Sequence, residues 1–467
     1  MKNIINKLLL ILLYISNILF IYNIYKLNIL SNTYLSIIII FTIILSSIIT
    51  IISLKDTNKL LKIILNIITI ILIIVYIVII SYIINTKNYI SGITVNNKNY
   101  KTYQVLVLKD GSINNINKLK GKNIGFLTID TSLDDSISTL KKKIILNNKE
   151  YNDIESLSNN LSNKKIDAIS IDKSYIESLK ENKSKVLNDT KVIYTYKVYI
   201  KNKVTNTNKV DNKPFILYIS GSDSRGSVKA IARSDVNIIA VVNPNTHKIL
   251  LVSIPRDYYV QLHGTTGVKD KLTHAGVYGI NKSITTIEDL LDINIDRYVK
   301  VSFATVIKSV DLLDGIDIYS DKSFVPWTNK KCYFKQGLQH VDGTCALAFA
   351  RERKTYTEGD RHRGENQEQV ISKIIEKLSN PKYLLKYNEI LNKTKDSFET
   401  SMSYEEITSL IKDELNSLAK WQIETYNLDG TGAMLPTYSM GSQNLYVMIP
   451  DENTITTAKQ KIGEYLK

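Results

Sequence analysis

Hydropathy splits the chain in two. Up to residue 85 it is almost wholly apolar, in three runs at Leu8–Tyr25, Tyr34–Leu54 and Ile63–Ile84. Each approaches the roughly 20 residues that a helix needs to cross a bilayer, and the second and third carry no charge. A cleaved signal sequence explains one such run, not three in series. Buried core helices would show an amphipathic period, which these Ile/Leu runs lack. Lys2 and Lys7 precede the first run and Lys55, Lys59 and Lys62 separate the second from the third, whereas only Lys26 lies between the first and second. The bias places the N-terminus in the cytoplasm and everything after Asn85 outside, tethered to the cell membrane.

Beyond Asn85 the pattern alternates between strand and helix periods. Tyr100–Leu108 alternates as a strand ending in Lys109-Asp110-Gly111; Asn115–Lys120 is a short helix and Asn123–Leu127 a strand. Ile154–Leu161 is helical, and Ile166–Ile171 and Val192–Ile200 are strands. This order predicts a small α/β unit over residues 86–212. Its run VLVLKDG…INKLKGKNIGFL…KKIDAISIDKSYIESL resembles a portion of a periplasmic solute-binding protein of the amino-acid type, which leaves a ligand-binding and a spacer role both open. Lys201–Lys213, rich in Asn and Lys, reads as a linker.

A second α/β domain is expected over residues 213–467. Phe215–Ser220 is an apolar strand running into Gly221-Ser222-Asp223-Ser224-Arg225. Arg233-Ser234-Asp235 precedes a strand at Val236–Asn243, and its hairpin partner Lys248–Ser253 ends in Ile254-Pro255-Arg256-Asp257. Ligand groups in α/β sheets gather where strands meet loops. Asp342–Ala350 has helical spacing and gives way to Arg351-Glu352-Arg353, where an extended chain puts both arginines on one face. Gly359–Gln367 leads into an amphipathic helix with Val370, Ile371, Ile374, Ile375 and Leu378 as its buried stripe. Arg363 and Gln367 share a face at its start, where helix termini favour anions. Helices at Leu384–Asn392, Tyr404–Leu418 and Thr454–Leu466, with Tyr446–Ile449 between the last two, are expected to cover one sheet face.

Composition narrows the chemistry. A chain of 467 residues needs two or three structural units. Its net charge of +15 and pI near 9.3 are carried by lysine in an Ile- and Asn-rich chain, with no nucleic-acid-binding motif, so nucleic acid is not an expected partner. Arginine is distributed differently: all eight lie between Arg225 and Arg363, close to Asp223, Asp235, Asp257 and Asp360. A guanidinium fork binds oxyanions bidentately where lysine offers a hydrated point charge. Arginines and carboxylates together suggest a phosphate ligand with a divalent metal. Cys332 and Cys345 are the only cysteines; export permits a disulfide, and two buried thiols are the alternative. No His pair has zinc spacing, and Ser222 is not in a nucleophile elbow.

The series GSDSR, ARSD, SIPRD, KLTHAGVYG, QHVDGTCALAFARER and GDRHRGENQEQVI, spread over about Pro214–Leu378, resembles the LytR–CpsA–Psr family of membrane-anchored cell-wall enzymes. The resemblance implies an α/β/α sandwich that holds a polyprenyl-pyrophosphate lipid in a hydrophobic pocket. It also implies transfer of a glycopolymer, such as teichoic acid or capsule, to peptidoglycan, with the pyrophosphate held by arginines and Mg²⁺. By motif, Asp223 and Asp235 correspond to the metal carboxylates and, with Arg256, to the catalytic set. Arg233, Arg256, Lys271, Arg351, Arg353, Arg363 and Gln367 correspond to the pyrophosphate site. Arg225 and Arg297 are expected to be structural. Many members carry Arg directly before the last-motif Gln; Asn366 stands here, with Arg361 a candidate replacement. A membrane-tethered binding or regulatory protein, and a phosphatase acting on the same lipid, are the competing readings.

Overall fold

Each apolar run folds as one helix: α1 (Lys2–Leu27), α2 (Asn32–Leu54) and α3 (Lys59–Ile93). All three are long and apolar enough to cross a membrane. Ser31 and Asn58 start α2 and α3 by accepting the Tyr34 and Leu61 N–H groups. Asn17, the polar interruption in the first run, is buried and donates to Thr42 O and Ser46 Oγ at 3.1 and 3.0 Å. Helix α3 runs past the expected boundary at residue 85, and its last turns belong to the domain beyond. The computed structural model describes residues 2–467 apart from 56–57, 95–98, 182–184, 201–212, 223–227, 357–358, 379, 381–382, 384–392, 395–396 and 418–419. The expected linker, save Lys213, and the helix at Leu384–Asn392 therefore lie outside the described residues.

The accessory unit comprises β1 (Asn99–Leu108), β2 (Asn123–Leu127), α4 (Leu133–Lys141), β3 (Asn147–Tyr151), α5 (Ile154–Ser162), β4 (Ala168–Asp172), α6 (Lys173–Glu181), α7 (Lys185–Asn188) and β5 (Thr190–Ile200). Its sheet order is β3-β2-β4-β1-β5, with β2 parallel to β3 and β4, and β1 antiparallel to β4 and β5. Helices α4, α6 and α7 and strand β3 were not expected. Strand β3 is Asn-Asn-Lys-Glu-Tyr at a sheet edge, too polar to announce itself.

The second domain opens with an antiparallel meander of β6 (Phe215–Ser222), β7 (Val236–Asn243) and β8 (Lys248–Ser253). There follow β9 (Tyr259–Val260), β10 (Asp270–Lys271), α8 (Leu272–Ala275), α9 (Ile280–Leu291), β11 (Arg297–Ser302), α10 (Phe303–Leu312), β12 (Ile316–Ser320), β13 (Gly337–Val341), α11 (Gly343–Ala350) and α12 (Asp360–Leu378). The chain closes with β14 (Phe398–Thr400), α13 (Tyr404–Ser417), β15 (Gln422–Asn427), β16 (Gly430–Thr437), β17 (Gly441–Pro450) and α14 (Glu452–Tyr465). A six-stranded sheet in the order β14-β11-β6-β7-β8-β15 is its centre. One face packs Ile216, Tyr218, Val241 and Leu250 against Ile284 and Ile287 of α9 and Ile455 and Ile462 of α14. The other packs Leu217, Ile238, Ala240 and Leu251 towards Ile371 and Ile375 of α12. The result is the expected three-layer α/β/α sandwich. Cys332 and Cys345 are joined as a disulfide with Cα atoms 5.6 Å apart, so the open choice resolves to the bonded form.

Neither flanking unit hangs free of this domain. Tyr89, Ile90 and Ile93 at the end of α3 pack with Phe398, Tyr404 and Ile407. In the accessory unit, Tyr100 N–H donates to Lys229 O at 2.9 Å and Tyr100 O accepts from Ile231 N–H at 2.8 Å. Val277, Met440 and Leu445 of the second domain join a core that includes Leu157 and Ile169 of the accessory unit.

Candidate active site

The start of β7 is fastened to the end of β6, because Asp235 N–H donates to Gly221 O at 2.7 Å. That bond turns Asp235 inward beside the end of β8, from which Ile254-Pro255 leads to Arg256. Arg256 Nη1 donates to Asp235 Oδ1 at 2.7 Å, and Thr273 Oγ1 donates to the same oxygen at 3.3 Å. Arg256 Nε lies 3.6 Å from Asp257 Oδ2, while Asp257 Oδ1 accepts Lys271 Nζ at 3.0 Å. The order Asp235, Arg256, Asp257, Lys271 is thus a buried chain of alternating charge. Gly276 packs behind it: a Cβ there would come within 2.7 Å of Ala232 O and Ser234 N, so the residue that follows α8 holds the Arg233 backbone in place.

Arg233 and Arg363 complete the cluster. Burial disfavours the charge on Asp235, but Arg256, Arg233 and Arg363 outweigh it and hold the carboxyl at about 2. Burial likewise opposes the charge on Asp257, and Arg256, Lys271 and Arg363 pull its carboxyl below the usual value. Three arginines from the β6–β7 connection, the end of β8 and the first turn of α12 therefore act on one spot. Among these residues four cations face two carboxylates, and that positive surplus, taken out of water, suits an anion.

An apolar cavity of about 220 Å³ adjoins the cluster, lined by Leu217, Ile219, Val301, Phe303 and Val306 among others, with Arg351 and Gln367 also in its wall. Helix α12 serves both regions, presenting Arg363 to the charges and Val370, Ile371, Ile374 and Ile375 to the cavity. Gly364 lets it approach the sheet, since a Cβ there would lie 2.8 Å from Ser253 Oγ. Arg351 lies over the Phe303 ring, 4.4 Å from the centroid.

The structure thus brings together Arg233, Asp235, Arg256, Lys271 and Arg363, and puts Arg351 and Gln367 on the adjoining cavity. Asp223 and Arg225 lie in 223–227, outside the described residues. Arg353 departs from the expectation of a shared face with Arg351. The chain is not extended there: Arg351 is in the right-handed region, with φ −102° and ψ −5°. The buried Glu352 carboxylate accepts the N–H groups of Arg353, Lys354 and Thr355, turning the chain so that Arg353 is exposed. The start of α12 also differs, because the helix begins at Asp360 and contains the whole of Arg361–Gln367. Arg361 points to the surface, bonded to Asp429 at 3.1 Å and 3.4 Å from Glu365, and does not replace the missing arginine. Asn366 instead donates to Phe349 O at 3.1 Å, tying α12 to α11. Arg297 is structural, as expected, paired in the interior with Glu406.

Sequence reasoning missed Asp257 as part of the site, and it missed the buried Glu368 of α12. Asp257 was visible as the carboxylate beside Arg256. Glu368 had no signal: it is buried next to Gln367, accepts Asn427 Nδ2–H at 2.9 Å, and burial raises its carboxyl to about 9. Burial thus favours its protonated form at neutral pH. The described residues contain no group of three or more metal-ligating side chains. An ionised Asp235 still fits magnesium, which takes one or two carboxylates and completes its shell with phosphate oxygens and water.

A sequence model of the LytR_cpsA_psr family matches residues 177–462. The Bacillus subtilis (strain 168) polyisoprenyl-teichoic acid–peptidoglycan teichoic acid transferase TagV is 30% identical over 274 residues, which is 57% of this chain and 68% of TagV. The transferase of the same description named TagU, from Enterococcus faecalis (strain ATCC 700802 / V583), is 30% identical over 275 residues, 58% of this chain and 86% of that protein. The crystal structure of B. subtilis TagV, 30% identical, covers 55% of this chain and 98% of its own with a TM-score of 0.47.

Proposed function

Because the chain belongs to the LytR–CpsA–Psr family, we propose that it transfers an anionic glycopolymer from a polyprenyl-pyrophosphate carrier to peptidoglycan at the outer face of a cell membrane. The observation that carries this reading is the polarity of α12, charged at one end of the site and apolar at the other. A lipid pyrophosphate has the same polarity. The names of TagV and TagU, which describe transfer of teichoic acid between a polyisoprenyl carrier and peptidoglycan, support it. The three apolar helices and the lysine bias of their loops support the placement.

In the proposed reaction an acceptor hydroxyl oxygen bonds to the polymer-bearing phosphorus. The bond from that phosphorus to the bridging oxygen breaks, and the lipid monophosphate leaves with the electron pair. Charge grows on phosphate oxygens, and Arg233, Arg256, Arg363 and Lys271 are already fixed to receive it. Asp235 bonds Arg256 and Asp257 bonds Lys271, which holds both cations in place. A carboxyl held at about 2 is a poor proton acceptor at neutral pH, so Asp235 is a positioning group and metal ligand rather than the base. The hydroxyl proton goes to a phosphate oxygen of the donor or to Asp223. Magnesium, held by Asp235 and Asp223, would supply further neutralisation of the phosphate charge.

The test is to incubate the membrane-embedded chain with lipid-linked polymer, magnesium and peptidoglycan oligomers. Polymer should appear on the acceptor, and Arg256→Ala should lower the rate by about 10²-fold or more, the scale seen when one preorganised donor is removed. Release of free polymer without acceptor labelling identifies a phosphatase. Absence of both products with wild-type protein refutes the transferase reading.

A further inference from the structure

We propose that the carrier's isoprenoid tail continues through the cavity beside Arg351 into a second apolar cavity whose outer wall is α3. The lipid then passes between bilayer and catalytic site sideways, along the third membrane helix. This rests on reading the charged cluster as the pyrophosphate site.

The second cavity has a volume of about 310 Å³ and is lined by Tyr89, Ile90 and Ile93 of α3, and by Phe398, Met402 and Ile411 on the facing side. It shares Val299 of β11 and Ser309 of α10 with the cavity beside Arg351, so the two meet along one strand–helix wall. Helix α12 runs beside both: Gln367 to Ile375 face the first, and Leu378 faces the second. From Gln367 to Leu378 is about 16 Å of helix at 1.5 Å per residue, so one element guides a chain from the charged end to the membrane helix. The Tyr89 hydroxyl in this wall is bonded to Thr394 Oγ1 at 3.0 Å, and the surface open to the cavity is almost wholly apolar. Such a lining suits an alkyl or isoprenoid chain and offers a sugar or peptide almost nothing to bond.

The length of α3 points the same way. Its 35 residues make about 52 Å of helix, against about 30 Å of hydrocarbon, so a segment stands clear of the bilayer core. That segment does more than tether: Tyr89 meets the Phe398 ring edge-on at 6.0 Å, and Thr94 bridges to Thr400 of the edge strand β14. Tyr404 O–H donates to Leu27 O at the end of α1 at 3.1 Å. The second cavity thus lies between catalytic sheet and membrane helix, where a lipid leaving the bilayer would pass.

The experiment uses the full chain in lipid nanodiscs with two donors that carry the same polymer, one on an undecaprenyl and one on a geranyl pyrophosphate. A photo-crosslinking amino acid in place of Ile411 should become labelled by radioactive undecaprenyl pyrophosphate. One in place of the exposed Leu338 should not. Ile411→Trp and Met402→Trp should slow transfer from the undecaprenyl donor by about tenfold or more and leave the geranyl donor, whose tail ends in the first cavity, nearly unchanged. Equal loss on both donors, or no loss on either, or no label at position 411, overturns the proposal. If wild-type protein transfers from neither donor while position 411 is still labelled, the transferase reading fails and the lipid path stands.

Discussion

Replacing Asp235 by Asn keeps the shape of the side chain and removes the charge that balances Arg256, Arg233 and Arg363. Its carboxyl is held at about 2 against an ordinary 3.8, a depression of nearly two units, and one unit corresponds to about 1.36 kcal/mol. The ionised form therefore contributes roughly 2 kcal/mol to stability at pH 7. A depressed carboxyl gives stability that is full above the unfolded value and lost as pH falls through the folded one. At pH 3, between the two, roughly 1 kcal/mol remains. Asp235→Asn should thus be less stable than wild type by roughly 2 kcal/mol at pH 7, and the gap should narrow by roughly 1 kcal/mol at pH 3. Thermal unfolding of the detergent-solubilised chain, followed by tryptophan fluorescence, should show the Tm difference shrinking by about 2–3 °C over that range. Comparison at equal pH removes the general acid destabilisation that both proteins share. A gap that stays constant from pH 7 to pH 3, or a variant as stable as wild type at pH 7, would show that the arginines do not act on Asp235 as described.

Glu368→Gln should move stability the other way. A carboxyl raised to about 9 gives stability that is present below its unfolded value of 4.5 and lost as pH rises through 9, so the glutamine variant should be more stable by roughly 3 kcal/mol at most at pH 7, with the advantage vanishing near pH 4.5 in the same melts. Arg256→Lys keeps one charge but loses the fork that reaches Asp235 and Asp257 together; transfer should fall by about 10²-fold, as read from initial rates with lipid-linked donor. Cys332→Ser with Cys345→Ser opens a loop with a separation of 13 residues and should cost about 3 kcal/mol, reproduced in wild type by reductant.

Part of the sandwich was legible because three of its central strands are runs of mostly buried apolar residues. Phe215–Ser220, Val236–Asn243 and Lys248–Ser253 appear nearly as expected, with β6 extending to Ser222. The inner strand β11 and the two edge strands were not. Phe398–Thr400 is three residues long, and Gln422–Asn427 pairs with β8 only through contacts distant in sequence, which local pattern does not encode. The arginine segregation pointed to the right region, and motif order to the right side chains. Which arginine turns inward depended on the backbone beyond α11, where Glu352 caps a turn that alternation could not foresee. The raised carboxyl of Glu368 comes first from burial, which local sequence does not encode.

The seam between the accessory and catalytic units has a practical consequence for anyone cutting this chain. A recombinant fragment that begins at Pro214 keeps every motif of the family, yet it strips away Tyr100, whose main chain grips Lys229 and Ile231 just ahead of Arg233. It also lays bare Val277, Met440 and Leu445, which are buried in a core shared with the accessory unit. Such a fragment should be sticky and loose at the arginine-bearing loop, whereas one beginning near Asn99 retains the splint. The border suggested by sequence is therefore a poor place for the scissors, and a feeble activity from the shorter piece would say little about the enzyme.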